Sequence, residues 1–230
     1  MRLQLEQLST PSDFVETVHN VLVDAITDGS LVPGERITQE EIAQQLDVSR
    51  SPVLQALRLQ KKDGLIEDTP GVGVQVAPMD PEWVGHLYEV QDAIDESAAR
   101  LAPQARVTIN PALLKRGRPI LQSRDLKRII DADIAFHHSE YTAAGNTLIA
   151  ENASRYWVHL RCVMGAVHRR TNQCSTIWDE HEAIAKAISL GDAVQAVLPT
   201  EQHVAHARTN LVNQLKEKLS RDLVSCSVKV

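Results

Sequence analysis

Apolar residues recur along this chain first at helical spacing, then in alternation, then at helical spacing again. Val15, Val18, Leu22, Ala25 and Ile26 share one helical face, with Thr10-Pro11 as cap and first-turn proline and Gly29 as the stop. Pro33-Gly34 makes a turn, and a short extended piece leads to Thr38. Thr38 and Glu41 stand in the relation of a capping box, so a helix begins there and turns Ile42, Ala43 and Leu46 inward. Asp47-Val48 breaks it. Ser49 caps a second helix, Pro52 is tolerated in its first turn, and Gly64 closes it. Two short strands follow around Thr69-Pro70-Gly71, with Val72, Val74 and Val76 on one face, and this hairpin reads as a wing.

From Pro81 the pattern returns to helices and shows no convincing strand. Val84, Leu87, Ile94, Ala98 and Leu101 form one stripe, and Gln91 falls on it, either as a buried amide or as a group lining a pocket. Lys115–Arg118, basic and holding a glycine, reads as a solvated loop. Asp133 and His137 are four apart and share a helix face. His181 lies in a helix running to about Leu190, and Gly191-Asp192 supplies a stop and a new cap. His203 lies in the next helix, where Pro199 is expected to kink the chain. His181 and His203 stand at comparable heights on either side of Gly191, so in an antiparallel pair their imidazoles can meet. The expected fold is therefore mainly α: a helix-turn-helix with a small β-wing over residues 1–78, and an all-helical bundle over 79–230.

Composition narrows the setting. With 43% hydrophobic residues in 230, the chain can bury sizeable cores. Its longest apolar runs are too short to cross a bilayer, and MRLQLEQLST lacks the apolar centre of a signal peptide, so a cytoplasmic location without membrane attachment is expected. Cys162, Cys174 and Cys226 have no metal-type spacing and read as reduced thiols. Net charge is −6, and residues 1–78 hold 6 Lys and Arg against 12 Asp and Glu. Nonspecific affinity for nucleic acid should be weak, and any DNA contact must be focused on Arg50, Arg58, Lys61 and Lys62. Ser49, Arg50 and Ser51, short donors around a guanidinium, stand at the leading end of the second helix, where a groove-entering helix presents its contacts.

These residues resemble a known family. AITDGSLVPGERITQEEIAQQLDVSRSPVLQALRLQKKDGLI with the glycine-containing hairpin is similar to the winged helix-turn-helix of GntR-type bacterial transcription regulators. The resemblance implies DNA contacts from Ser49, Arg50, Ser51 and Arg58, with Pro70 and Gly71 at the wing tip near the minor groove. Leu54 stands where the family usually has arginine, and Leu59-Gln60 inverts the usual polar-then-leucine order.

One Asp and three His meeting in a helical bundle suit a divalent transition ion such as zinc or nickel, with positions left for water or ligand. The second half resembles the FCD (FadR C-terminal-like) type of GntR effector domain through LYEVQDAIDESAARLA, DIAFHHSEYTAAGN and EHEAIAKAISLGDA, with a last histidine 22 residues after His181. That resemblance implies a metal held by Asp133, His137, His181 and His203, and a small organic acid bound at or beside it. Gln91 replaces an arginine common in the family, and Arg161 or Arg155 are the candidates to take its place, which makes Gln91 and Arg161 the expected effector contacts.

The function expected is a ligand-responsive regulator, a homodimer on double-stranded operator DNA, and not an enzyme. Two alternatives stay open: a metal-dependent enzyme acting on a small carboxylate, with Glu140 or Glu180 as base, and a regulator whose metal is purely structural. The Leu211, Leu215 and Leu219 stripe is one candidate for the dimer surface.

Overall fold

The computed structural model describes residues 12–71, 73–105, 108–121, 125–167 and 175–227. The expected Thr10-Pro11 cap, the Val72 face position and Cys174 lie outside them. The chain divides into two compact units, Met1–Ile26 with Ser30–Pro78, and Thr27–Gly29 with Met79–Val230.

In the first unit, α1 (Ser12–Asp28) presents Val18, Leu22 and Ile26 to the interior and ends at Gly29, whose φ is +72°. β1 (Arg36–Ile37) precedes α2 (Gln39–Gln45), which starts on a complete capping box: Glu41 N donates to Thr38 Oγ1 at 3.2 Å, and Thr38 N donates to Glu41 Oε2 at 2.8 Å. Asp47, at φ +50°, makes the turn into α3 (Arg50–Lys62). Ser49 is the N-cap residue of α3, though its hydroxyl makes no capping bond. β2 (Ile66–Asp68) and β3 (Val74–Val76) form the hairpin. β1 pairs with the free side of β3, giving a three-stranded antiparallel sheet in the order β1-β3-β2. Gly73 is required where β1 meets β3, because a Cβ there would lie 2.8 Å from the Ile37 carbonyl oxygen at a φ of +107°.

The Leu59-Gln60 inversion has a structural outcome. Gln60 is fully buried in the core face of α3 and donates from Nε2 to the His19 carbonyl at 3.0 Å, whereas Leu59 is exposed. A buried amide thus sits at a core position with one bond made and its Oε1 left over.

The second unit consists of α4 (Pro81–Ala105), α5 (Pro111–Leu121), α6 (Leu126–Ala143), α7 (Thr147–Val167), α8 (Ser175–Ser189) and α9 (Ala193–Ser227), with no strand among the described residues. Two apolar clusters organise it. One gathers Tyr88, Tyr141, Trp157, Leu160, Leu211 and Leu215, and the other gathers Phe136, Trp178, Ile184, Ile188, Ala99 and Ala102. Phe136 and Tyr141, one turn apart on α6, join different clusters, so α6 runs along the seam and carries His137 into it.

Two expectations need correction here. Lys115–Arg118 is not a loop: it lies within α5, where Gly117 is buried against the Trp178 ring and Arg118 bridges Asp179 at 2.5 Å and Glu182 at 2.9 Å on α8. The glycine serves helix packing rather than a turn. Leu211 and Leu215 are buried inside their own protomer, with Leu219 packed against the same cluster, so that stripe closes the bundle and is not a free surface. α9 continues as helix through Pro199, where Asp192 Oδ1 has capped the start by accepting from Val194 N and Gln195 N. Cys162 is buried and free.

Candidate metal and effector site

The leading turn of α3 carries Arg50 with its side chain largely exposed, and Arg50 Nη2 bonds Glu40 Oε1 of α2 at 2.5 Å. Gln39 Nε2 donates to the Arg50 carbonyl at 2.6 Å, tying α2 to the start of α3. Ser51 and Arg58 are also exposed, and Leu54 lies exposed on the same helix. Gly71 at the hairpin loop has a φ of +96°, and Pro70 precedes it in the loop that Thr69 Oγ1 closes by donating to the Gly73 carbonyl at 3.2 Å. The hairpin geometry holds the two loop residues in place, while α3 presents the polar residues of its first turn outward.

In the second unit, Asp133 and His137 from α6, His181 from α8 and His203 from α9 come together. His137 and His203 face each other with Nε2 atoms 3.3 Å apart. His181 Nε2 lies 3.4 Å from Asp133 Oδ1. The three imidazoles each offer one nitrogen within 4.8 Å of the others, and all three are buried. Two nitrogens on a tetrahedral zinc with bonds of about 2.0–2.1 Å stand roughly 3.3 Å apart, so the spacing suits a transition ion.

The protonation states agree with that. Burial holds His137 and His181 well below the ordinary imidazole range, so both are neutral, the form that ligates. Neither nitrogen of His181 has a hydrogen-bond partner, an arrangement that costs free energy unless something else occupies the lone pair. His203 Nδ1 bonds Glu180 Oε2 at 2.8 Å, which fixes the tautomer with the Nε2 lone pair toward His137. Glu180 also accepts from His206 Nδ1 at 2.8 Å; burial raises its carboxyl, but these bonds outweigh that and hold it below the usual range. Burial pushes Asp133 up to about 6, with His203 opposing. The donor set therefore fits a divalent transition ion.

Beside the histidines lies a cavity of about 70 Å³, lined by Asp133, His137 and His203 together with Gln91, Asp95 and Trp157. Comparison with known proteins places both halves. Residues 14–76 match the family model of bacterial regulatory proteins, gntR family, and residues 86–206 match the FCD domain. The chain belongs to the GntR family of bacterial transcription regulators, in the group with an FCD domain.

Relatives of this GntR regulator agree. It is 30% identical over 95 residues to the uncharacterized HTH-type transcriptional regulator YdhC of Bacillus subtilis, covering 41% of this chain and 42% of that protein. It is 26% identical over 180 residues to an uncharacterized HTH-type transcriptional regulator from an unstable DNA locus of Streptomyces ambofaciens, covering 76% of this chain and 75% of the other. Its fold matches E. coli McbR/YncC with a TM-score of 0.76 at 18% identity, over 90% of this chain and 99% of that one. These families are transcription regulators rather than enzymes, and among the described residues no helix is long and apolar enough to cross a membrane.

The two expected effector contacts part company in this FCD domain. Gln91 is buried and lines the cavity. Arg161 is not among the described residues that line it and pairs with Asp131 Oδ1 at 3.4 Å; Arg155 is exposed. Sequence reasoning missed the network behind Gln91: Gln91 Nε2 donates to Asp95 Oδ1 at 2.7 Å and to Tyr141 Oη at 2.6 Å, Tyr141 donates to Asp95 Oδ1 at 2.6 Å, and Trp157 Nε1 donates to Tyr141 Oη at 3.0 Å. The Gln91/Asp95 spacing on one helix face was the available signal. Its meaning depended on Tyr141 and Trp157, which sit 46 or more residues away in sequence.

Proposed function

We propose that this regulator is gated by a small organic acid that binds beside a divalent transition ion. Asp133, His137, His181 and His203 hold the ion, and Glu180 orients His203. When bound, the ion supplies a Lewis acid for the oxygens of a carboxylate. The observation that carries the reading is His181, buried with neither nitrogen in a hydrogen bond and within reach of two other histidines and the Asp133 carboxylate. The cavity beside this cluster, walled by Gln91, receives the rest of the effector.

Ser49, Arg50, Ser51 and Arg58 approach operator DNA from α3, with Pro70 and Gly71 at the wing tip. The exposed start of α3 and its single guanidinium support this assignment. Two copies of the chain place two such helices on the half-sites of a near-palindromic operator. The effector changes operator affinity only in so far as it binds the DNA-competent and incompetent states unequally.

The test is an electrophoretic mobility shift on DNA flanking the gene, with and without zinc and a panel of small acids. A shift by the unaltered chain, lost in Arg50→Ala and altered by one acid only in the metal-loaded protein, is the expected result. Operator binding indifferent to every acid and to chelation would overturn the gating.

A further inference from the structure

Gln91 and Asp95 line the cavity together with the histidines and are tied into one hydrogen-bond network. Among the described residues that line the cavity there is no Lys or Arg. The network fixes the sense of each bond. Trp157 Nε1 can only donate, so the Tyr141 oxygen accepts from it, and the Tyr141 proton goes to Asp95. Asp95 Oδ1 is therefore an acceptor, and Gln91 must turn its amide nitrogen toward it. This leaves Gln91 Oε1 buried and without a hydrogen-bond partner, on a residue that lines the cavity at 1% exposure. Asp95, equally buried, lines the same cavity, and burial pushes its carboxyl up to about 7 against the bonds from Tyr141 and Gln91 and the nearby His203. Gln214 Oε1, also lining the cavity, is a further acceptor without a partner.

Neither a second carboxylate nor a methyl group offers a donor to Gln91 Oε1, so either leaves that buried amide oxygen unpaired. The His137 and Tyr141 rings are one turn apart on α6 with centroids 6.4 Å apart, so the histidine cluster and the Gln91/Asp95 network are within the span of one small molecule.

We infer that the effector is an amino acid in the broad sense: a carboxylate at the histidine end and a protonated amine donating to Gln91 Oε1 and Asp95 at the other. This rests on the effector reading above and specifies the ligand's second end. Neither a dicarboxylate nor a plain fatty acid satisfies Gln91 Oε1.

The test uses the full chain saturated with zinc, and separately with nickel, in titration calorimetry against three acids of matched length: 4-aminobutanoate, butanedioate and butanoate, together with their homologues one carbon shorter and longer. The expected result is that one of the ω-amino acids binds at least about tenfold more tightly than its dicarboxylate and alkyl counterparts, the size expected for a buried hydrogen bond to a charged group. Gln91→Met removes the acceptor at similar volume and should erase that preference, while metal content by atomic absorption stays at the wild-type level. The ligand comparison is made on the unaltered chain, so it stands even where the variant folds poorly. Tighter binding of a dicarboxylate overturns the inference and leaves the effector cavity in place. Binding of none of the nine acids by the metal-loaded protein overturns both this inference and the reading of the cavity as the effector site.

Discussion

Replacing His181 by leucine separates a metal ligand from a structural histidine by the sign of its effect. His181 is fully buried, and neither ring nitrogen has a hydrogen-bond partner. A buried polar atom without a hydrogen bond costs about 1–3 kcal/mol, so the two nitrogens of metal-free His181 cost about 2–6 kcal/mol, less whatever Nε2 recovers from Asp133 Oδ1 at 3.4 Å. Leucine removes both polar atoms at comparable volume. Against that, the stacked contact with Phe136, centroids 4.0 Å apart and planes 16° apart, and the edge contact with Trp178 at 4.8 Å are lost, at about 0.5–1.5 kcal/mol each. The two terms leave His181→Leu between about 1 kcal/mol less stable and about 5 kcal/mol more stable than the chelated wild type. At about 2–4 °C per kcal/mol for a domain of this size, its Tm should fall by no more than about 4 °C and is expected to stay level or rise. Zinc at a hundredfold excess over its Kd should then stabilise wild type by about 2.7 kcal/mol, or about 5–10 °C, and leave the variant unmoved. Calorimetric melts of both proteins, chelated and zinc-saturated, make the comparison. A variant that melts well below chelated wild type, with a wild-type Tm indifferent to zinc and nickel, would refute the reasoning.

Gly117→Ala should lower the Tm of the helical unit by roughly 2–10 °C, because the added Cβ would lie 2.2 Å from the Trp178 ring and overpacking costs about 1–3 kcal/mol; a melt unchanged within a degree contradicts the packing described. Since Trp178 contacts His181, the same variant should also bind zinc more weakly in a competition titration. Glu40→Gln frees Arg50 from its ion pair and removes a negative charge beside the DNA-approaching turn, so operator affinity by fluorescence anisotropy should rise up to about fivefold; a fall would mean that Glu40 positions Arg50 for the contact. The Thr38 hydroxyl and backbone N–H hold the Glu41 carboxyl below its ordinary value, so its contribution to stability is complete above the usual glutamate range and is lost as pH falls through the lowered value. Glu41→Gln should flatten the acid limb of the stability curve for the winged unit, and an unchanged acid limb by circular dichroism would count against the capping box as its source.

Local chemistry was enough to read the winged unit from residues alone. The Thr38/Glu41 box, the Gly64 stop and the Val74/Val76 alternation act over a few residues, and each appears where its local chemistry places it. Asp133 and His137 were legible for the same reason, since one helical turn sets their common face. His181 and His203 needed one further step, the antiparallel reading across Gly191, which rests on helix rise alone. What the chain order could not express is whatever a distant element decides. The KRGR stretch looked like a loop because glycine and charge are loop signals, and only Trp178 from α8 explains a glycine in the middle of α5. The Leu211, Leu215 and Leu219 stripe says that one face of α9 is covered, and a period cannot tell whether the cover is the same chain or a second copy; packing against α4 and α7 residues answers it. Gln91 remained two-sided until Tyr141 and Trp157 fixed which end of its amide points at Asp95. Hydrogen bonds are directional and run between elements, so the polarity of a cavity wall belongs to the tertiary structure even when each residue in it can be read from the sequence.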